Sequence, residues 1–322
     1  AYDILRCLVG SEMCIRDSGA TVLVPFLFNV NPTTCLFMNG IGTLLYLFLT
    51  KGKIPSYLGS SFAFISPVMV ILSTSSYSDA QSGFIVFGLI FILFSLIIKY
   101  TGTGWIDIIF PPACMGAIIA VIGLELAPTA AGMAGLTGDV IDFRNIAVSM
   151  FTLAVTIIGS VAFKGFMAII PILFGVICGY IFSFFMGLVD LAPVAAAPWF
   201  QMPHFYQPTF NLNAILIIAP AALVVLAEHI GHLVVTGNVV ERNLIKDPGL
   251  ARSLFADGCS NVLSGFFGAT PNTTYGENTG VLAITKNYNP SILRLTAFFA
   301  IILSFIAKFG AVISCLLYTS PS

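Results

Sequence analysis

The sequence predicts an all-α protein that crosses a lipid bilayer many times, and three observations predict it. Of 322 residues, 58% are hydrophobic and 8% charged, against about 25% charged in an ordinary soluble domain. The mean hydropathy is +1.00, and with 29 Phe there is more apolar surface than one or two aqueous cores can bury, so the solvent must be lipid. The apolar residues are also gathered into successive runs, most of them near the roughly 20 residues that a helical span needs.

The same composition argues against other classes. The 13 Lys and Arg against 14 Asp and Glu give a net charge of −1, with no basic block to bind nucleic acid. Seven Cys form no CxxC pair or Cys/His group, so no metal or disulfide framework is expected. There is no GxSxG, HExxH or Walker loop to support hydrolysis or nucleotide-driven pumping. No cofactor is expected, apart from a coupling ion.

Taken in order, residues 1–18 (AYDILRCLVGSEMCIRDS) place Arg6, Glu12, Arg16 and Asp17 where a first span should begin. That string and the tail at 312–322, ending SCLLYTSPS, resemble translated sequencing-adaptor read-through. Both are expected to be non-native and are set aside. Between them, apolar runs fall at 19–30, 33–50, 60–72, 83–99, 105–127, 145–163, 165–188, 212–235, 251–268, 275–285 and 291–311. The segments at 60–72 (SSFAFISPVMVIL) and 275–285 are too short to span as plain helices and are rich in Ser, Gly, Thr or Pro. Paired short segments far apart in a chain point to a transporter's binding site. Interrupted backbone at membrane depth survives only where it lines a cavity or is buried in protein.

Basic residues test the topology, because short cytoplasmic loops carry the Lys and Arg excess. With the N-terminus cytoplasmic and both short segments counted as crossings, nine fall inside: Lys51, Lys53, Lys99, Lys164, Arg242, Lys246, Arg252, Lys286 and Arg294. Arg144 falls outside, and eleven crossings are expected. Trp105 and Trp199 stand at span ends, as interfacial residues do. The loops at 128–144 and 189–211 are the longest expected.

Ionisable groups inside spans need a partner or a job. In LIIAPAALVVLAEHIGHLVVT, Glu228 and His232 are four residues apart on one helical face, and His229 points about 100° away. A carboxylate and an imidazole so placed can share or pass a proton. Glu277 lies in GATPNTTYGENTGVLAITK, where Gly276 and Gly280 allow close backbone approach and Asn278 can satisfy freed backbone groups. Asp257 lies inside its run and is expected to bond backbone around the broken segment. Phe62, in the other short segment, offers a flat face for a planar ring.

ENTGVLAITK, together with GATVLVPFLF, KGKIPSYLGSSFAFISP, AEHIGHLVVT and TPNTTYGENTG in order, resembles the nucleobase/ascorbate transporter family over residues 19–311. The resemblance implies a fold of two inverted repeats of seven segments, with a core domain carrying substrate past a gate domain in a homodimer. It implies core at 19–100 and 212–311 and gate at 101–190, with the chain truncated after about the eleventh segment. By motif, Glu228 and Glu277 are implied as substrate carboxylates and Phe62 as flanking the base. Tyr275 and Gly276 are implied beside the substrate, Ala20 as the small residue of the first segment, and His232 in the proton-coupling network. Asn278, Gly280 and Asp257 are expected as structural neighbours of the site. Where xanthine or urate carriers of the family have Gln, this sequence has Glu277, which favours uracil.

The resemblance therefore implies a uracil:proton symporter in the bacterial inner membrane. A purine carrier of the same fold is the alternative within transport, and no Lys or Arg lies in the candidate segments to attract an anion. An integral membrane enzyme using Glu228 and His232 as acid and base would need a nucleophile, metal or cofactor motif that the sequence does not supply. A passive channel fits poorly with paired broken segments.

Overall fold

A computed structural model describes Thr21 and residues 23–106, 111–137, 143–164, 171–189 and 191–312. The elements, in order, are α1 (Pro32–Leu49), β1 (Leu58–Ser60), a 3-10 turn (Phe62–Phe64), α2 (Ile65–Leu72), α3 (Tyr77–Thr101), α4 (Pro112–Met133), α5 (Phe143–Ala162), α6 (Pro171–Phe185) and α7 (Ala192–Ala196). There follow α8 (Leu212–Ile218), α9 (Ala221–Val239), a π-turn (Ile245–Gly249), α10 (Leu250–Phe267), β2 (Asn272–Thr274), α11 (Gly276–Thr285) and α12 (Pro290–Ser304). Among the described residues, five helical stretches are long and apolar enough to cross a membrane, including Tyr77–Thr101 and Leu212–Val239.

Local chemistry sets the boundaries. Pro32 opens α1, and the Asn31 side chain accepts from Thr33 N at 3.0 Å, leaving fewer amides unpaired in the first turn. At the start of α3, Asp79 accepts from both the backbone N and Oγ of Ser76. Gly268 ends α10 with φ 81°, a left-handed cap that glycine adopts without Cβ strain.

Three expected spans differ from the structure. The run at 212–235 is two helices, because Pro220 has no N–H to continue the ladder and its ring crowds the preceding turn. The loop expected from 128 begins later: α4 runs through Pro128 to Met133. The last run divides after Ser304, and residues 307–312 are helical again.

The described residues form two compact units, those within 1–122 and 202–304 and those within 123–201 and 305–312. In the first, α3 packs along α10 and α1 packs on both α10 and α12. Glycines permit the close approach: a Cβ on Gly88 would lie 2.7 Å from the Gly258 carbonyl oxygen, and one on Gly258 2.8 Å from that of Gly88. Small residues at such crossings let backbones touch where lipid provides no hydrophobic drive for association. Phe64, Phe87 and Phe91 form an aromatic run, with ring centroids 4.8 and 4.6 Å apart. In the second unit α5 packs on α6, with Phe151 against Phe182 at 4.7 Å and Lys308 over the Trp199 ring at 4.9 Å.

Candidate functional site

Both short segments are broken at the same kind of place. β1 and β2 pair antiparallel, with Leu58 opposite Thr274 and Ser60 opposite Asn272, and all six residues are buried. Each strand then turns into a helical start, the 3-10 turn leading to α2 in one case and α11 in the other. A two-stranded ribbon inside an apolar protein is thus followed by two half-helix N-termini, whose first amides have no intrahelical acceptor.

Polar side chains satisfy the ribbon where it leaves the ladder. Tyr275 N donates to the Tyr57 carbonyl at 3.1 Å and Ser61 N to that of Pro271 at 3.0 Å. The Tyr275 hydroxyl donates to the Ser60 carbonyl at 2.8 Å. Leu58 N donates to Thr43 Oγ1, and Ser60 and Thr270 share a hydroxyl bond of 2.7 Å. Asn261, on α10, accepts from Asn272 N and donates to its carbonyl, each at 2.8 Å. The sequence reading gave backbone bonding around this segment to Asp257. In the structure Asn261, one turn later, does it, because an amide can accept and donate whereas a carboxylate only accepts; Asp257 Oδ1 instead accepts from Asn261 Nδ2 at 3.2 Å.

The α9 residues stand beside these ends. Glu228 and His232 are both half-buried, and Ser61 Oγ donates to Glu228 Oε2 at 3.4 Å. His232 adjoins the start of α11: a Cβ on Gly276 would lie 2.9 Å from its Nε2. Its Nδ1 is buried without a hydrogen-bond partner among the described residues. Phe62 is half-buried, whereas Phe64 is fully buried against Phe84 and Phe87. So Phe62 is the aromatic of this turn with a ring still partly open.

Of the other expected residues, Tyr275 is the N-cap of α11 and Gly276 its first residue. Glu277 is in the first turn of α11, with its side chain outside the described residues. Asn278 is buried, and both its amide atoms lack partners among the described residues. Gly280 is half-buried on the same helix, and Ala20 lies outside the described residues. Thus Phe62, Glu228, His232, Tyr275 and Gly276 are held on elements that touch one another, while Asp257 meets His229, at 3.0 Å, and Asn261.

Sequence reasoning missed Ser61, Asn261, Asn272, Ser253 and Tyr46. A signal for three residues of α10 was present: Ser253, Asp257 and Asn261 recur every four residues in an otherwise apolar helix, so they share one face. An open cavity of about 400 Å³ lies farther along α9, lined by residues such as Gly237, Glu241, Arg242 and Ile245. None of the expected site residues lines it.

Chemically, the arrangement offers fixed backbone donors, a carboxylate acceptor in Glu228, the imidazole of His232 and a partly open aromatic face, with no Lys or Arg among the described residues that form it. That set suits a neutral, planar ligand carrying its own N–H groups and carbonyls.

Comparison with known proteins places the chain as a whole. A family model described as a permease family (Xan_ur_permease) matches residues 14–316. The chain is 61% identical over 298 residues to the uracil permease of Escherichia coli (strain K12), covering 92% of this chain and 69% of that protein. It is 58% identical over 301 residues to the uracil permease of Paenibacillus larvae, with 92% and 72% covered. To that of Bacillus subtilis (strain 168) it is 42% identical over 307 residues, with 92% and 71% covered. Among solved structures, the transmembrane domain of the cyanobacterial bicarbonate transporter BicA superposes with a TM-score of 0.65 at 14% identity, covering 99% of this chain and 88% of that one. SLC26A9 gives 0.64 at 13% identity, covering 97% and 57%. At such identity the two structures speak to the fold alone, that of an all-α transporter.

Proposed function

The chain belongs to this permease family, a multi-pass membrane transporter rather than an enzyme, and on that premise we propose that it imports uracil by proton symport across the bacterial inner membrane. The observation that carries the reading is the pair of half-helix N-termini meeting at the β1–β2 ribbon beside Glu228. Uracil presents two N–H donors and two carbonyl acceptors on a flat ring. Carboxylates at Glu228 and Glu277 take its N–H groups, backbone amides near Tyr275 and Gly276 meet its carbonyls, and Phe62 covers its face. Charge-assisted bonds of this kind are strong in a site shielded from water.

Uptake of a neutral solute against a gradient requires a driving ion. Protonation at Glu228 and His232 supplies one, by changing the cost of exposing or occluding the site. In this reading the fold is built on two inverted repeats of seven segments, has its N-terminus cytoplasmic, and works as a homodimer in the lipid bilayer. The first unit carries substrate as the core and the second serves as the gate. Support for the repeat comes from the antiparallel ribbon, in which each short segment contributes a strand followed by a half-helix.

The test is radiolabelled uracil uptake by the full-length protein in cells lacking their own permease, at about pH 5.5 and about pH 8. Saturable uptake that rises at acid pH and collapses in Glu228→Gln and Glu277→Gln is expected. Uptake of xanthine but not uracil would overturn the substrate, and uracil uptake indifferent to pH would overturn the coupling.

A further inference from the structure

Behind the substrate-facing side of α9 runs a chain of buried polar groups that the proposed cycle does not use. His229 has no exposed surface, nor have Tyr46, Ser253 and Asp257. The Tyr46 hydroxyl is 2.7 Å from Ser253 Oγ, Ser253 Oγ is 2.8 Å from His229 Nε2, and His229 Nδ1 is 3.0 Å from Asp257 Oδ2. Thr274 Oγ1, on β2, is 3.5 Å from the same Nδ1. These contacts join α1, α9, α10 and β2, and the ring of His229 meets the edge of Phe91 on α3 at 6.1 Å.

Donor and acceptor chemistry gives the chain a direction. A carboxylate only accepts, so the neutral imidazole carries its proton on Nδ1 and presents Nε2 as an acceptor. Ser253 must then donate to Nε2, which leaves its oxygen to accept from the Tyr46 hydroxyl. Apart from its 3.0 Å contact with His229 Nδ1, Oδ2 of Asp257 meets no donor among the described residues, so that nitrogen is the group positioned to stabilise it.

We propose that Tyr46, Ser253, His229 and Asp257 form one positioning relay that sets the rotation of α9 and thereby aims Glu228 and His232 at the substrate. The proposal rests on the reading of that site as the uracil site. Glu228 and His232 lie one residue before and three after His229, so a turn of α9 about its axis moves both. At a side-chain radius of about 6 Å, a rotation of about 20° displaces them by about 2 Å, enough to spoil a positioned carboxylate.

Two measurements on the purified full-length protein decide it. In uracil binding at equal amounts of folded protein, Tyr46→Phe and Ser253→Ala are each expected to raise Kd about 3- to 10-fold, and the double variant no further than the worse single. Unchanged affinity in both singles, or losses that multiply as for independent contacts, would overturn the positioning role. Histidine ¹⁵N NMR, which needs no substrate, is expected to show His229 protonated on Nδ1, and on Nε2 after Asp257→Asn. An Nε2–H form in the unmodified protein would overturn the relay. If the protein binds no uracil while the tautomer is as expected, the relay stands and the substrate reading falls.

Discussion

Asn261 brackets the backbone of Asn272, accepting from its N–H and donating to its carbonyl at 2.8 Å each. The bracket closes the open edge of a three-residue strand that has a single neighbour. Asn261→Leu removes both partners from backbone groups buried in the protein interior, at about 1–3 kcal/mol for each. A lower unfolding midpoint together with weaker uracil binding is expected, and an unfolding temperature within about 1 °C of the original would contradict the assignment.

Gly276 stands against His232, where an added Cβ would come within 2.9 Å of Nε2. Gly276→Ala therefore pushes the imidazole away from α11, and a loss of about tenfold in uracil affinity is expected, in line with the steric cost of overpacking. If the clash is the cause, His232→Ala adds little loss in the Gly276→Ala background. A full multiplicative loss in the double variant would show that the two act separately.

The α3–α10 crossing gives a test in which two effects oppose. Replacing a helical glycine by alanine gains about 0.5–1 kcal/mol in backbone entropy. At Gly88 the new Cβ would lie 2.7 Å from the Gly258 carbonyl, and overpacking of that kind costs about 1–3 kcal/mol. Net destabilisation is expected for Gly88→Ala, whereas Gly123→Ala, with nothing within 4 Å, should be neutral or slightly stabilising. Thermal unfolding in one detergent compares them, and equal midpoints would remove the packing argument.

Outside the spans, Asp247 accepts from Lys53 Nζ at 2.6 Å and lies 3.7 Å from Arg242. The Lys53 hydrogen bond, followed by the nearby positive charges, holds its carboxyl below the usual carboxylate range. A depressed value in the folded state means the contribution to stability is complete above the unfolded value, about 4, and is lost as pH falls through the folded one. Unfolding temperatures measured downward from neutral pH should show an acid-side loss that Asp247→Asn reduces and added salt weakens. An identical acid limb in the variant would rule this contribution out.

Much of the fold was legible because lipid imposes a one-dimensional rule. Runs of apolar residues reveal spans whatever they pack against, and the two runs too short to span marked the half-helices, each of which follows a strand of the ribbon. Pro220 was a visible break hidden by the hydrophobicity on either side of it. The spacing of Glu228 and His232 put them on one face by helical geometry alone. The ribbon register is different, since Leu58 and Thr274 pair across more than two hundred intervening residues, and no periodicity encodes that.

By itself the sequence determined a polytopic helical protein, the two short segments and a carboxylate and histidine on one helical face, because burial in lipid and helical period act along the chain. Only the tertiary structure decided which polar groups are partners. Tyr46 and Ser253 are 207 residues apart, and Asp257 meets His229 only where α9 and α10 pack. Hydrogen bonding is a matter of a few ångströms and of direction, and both come into being when the helices dock.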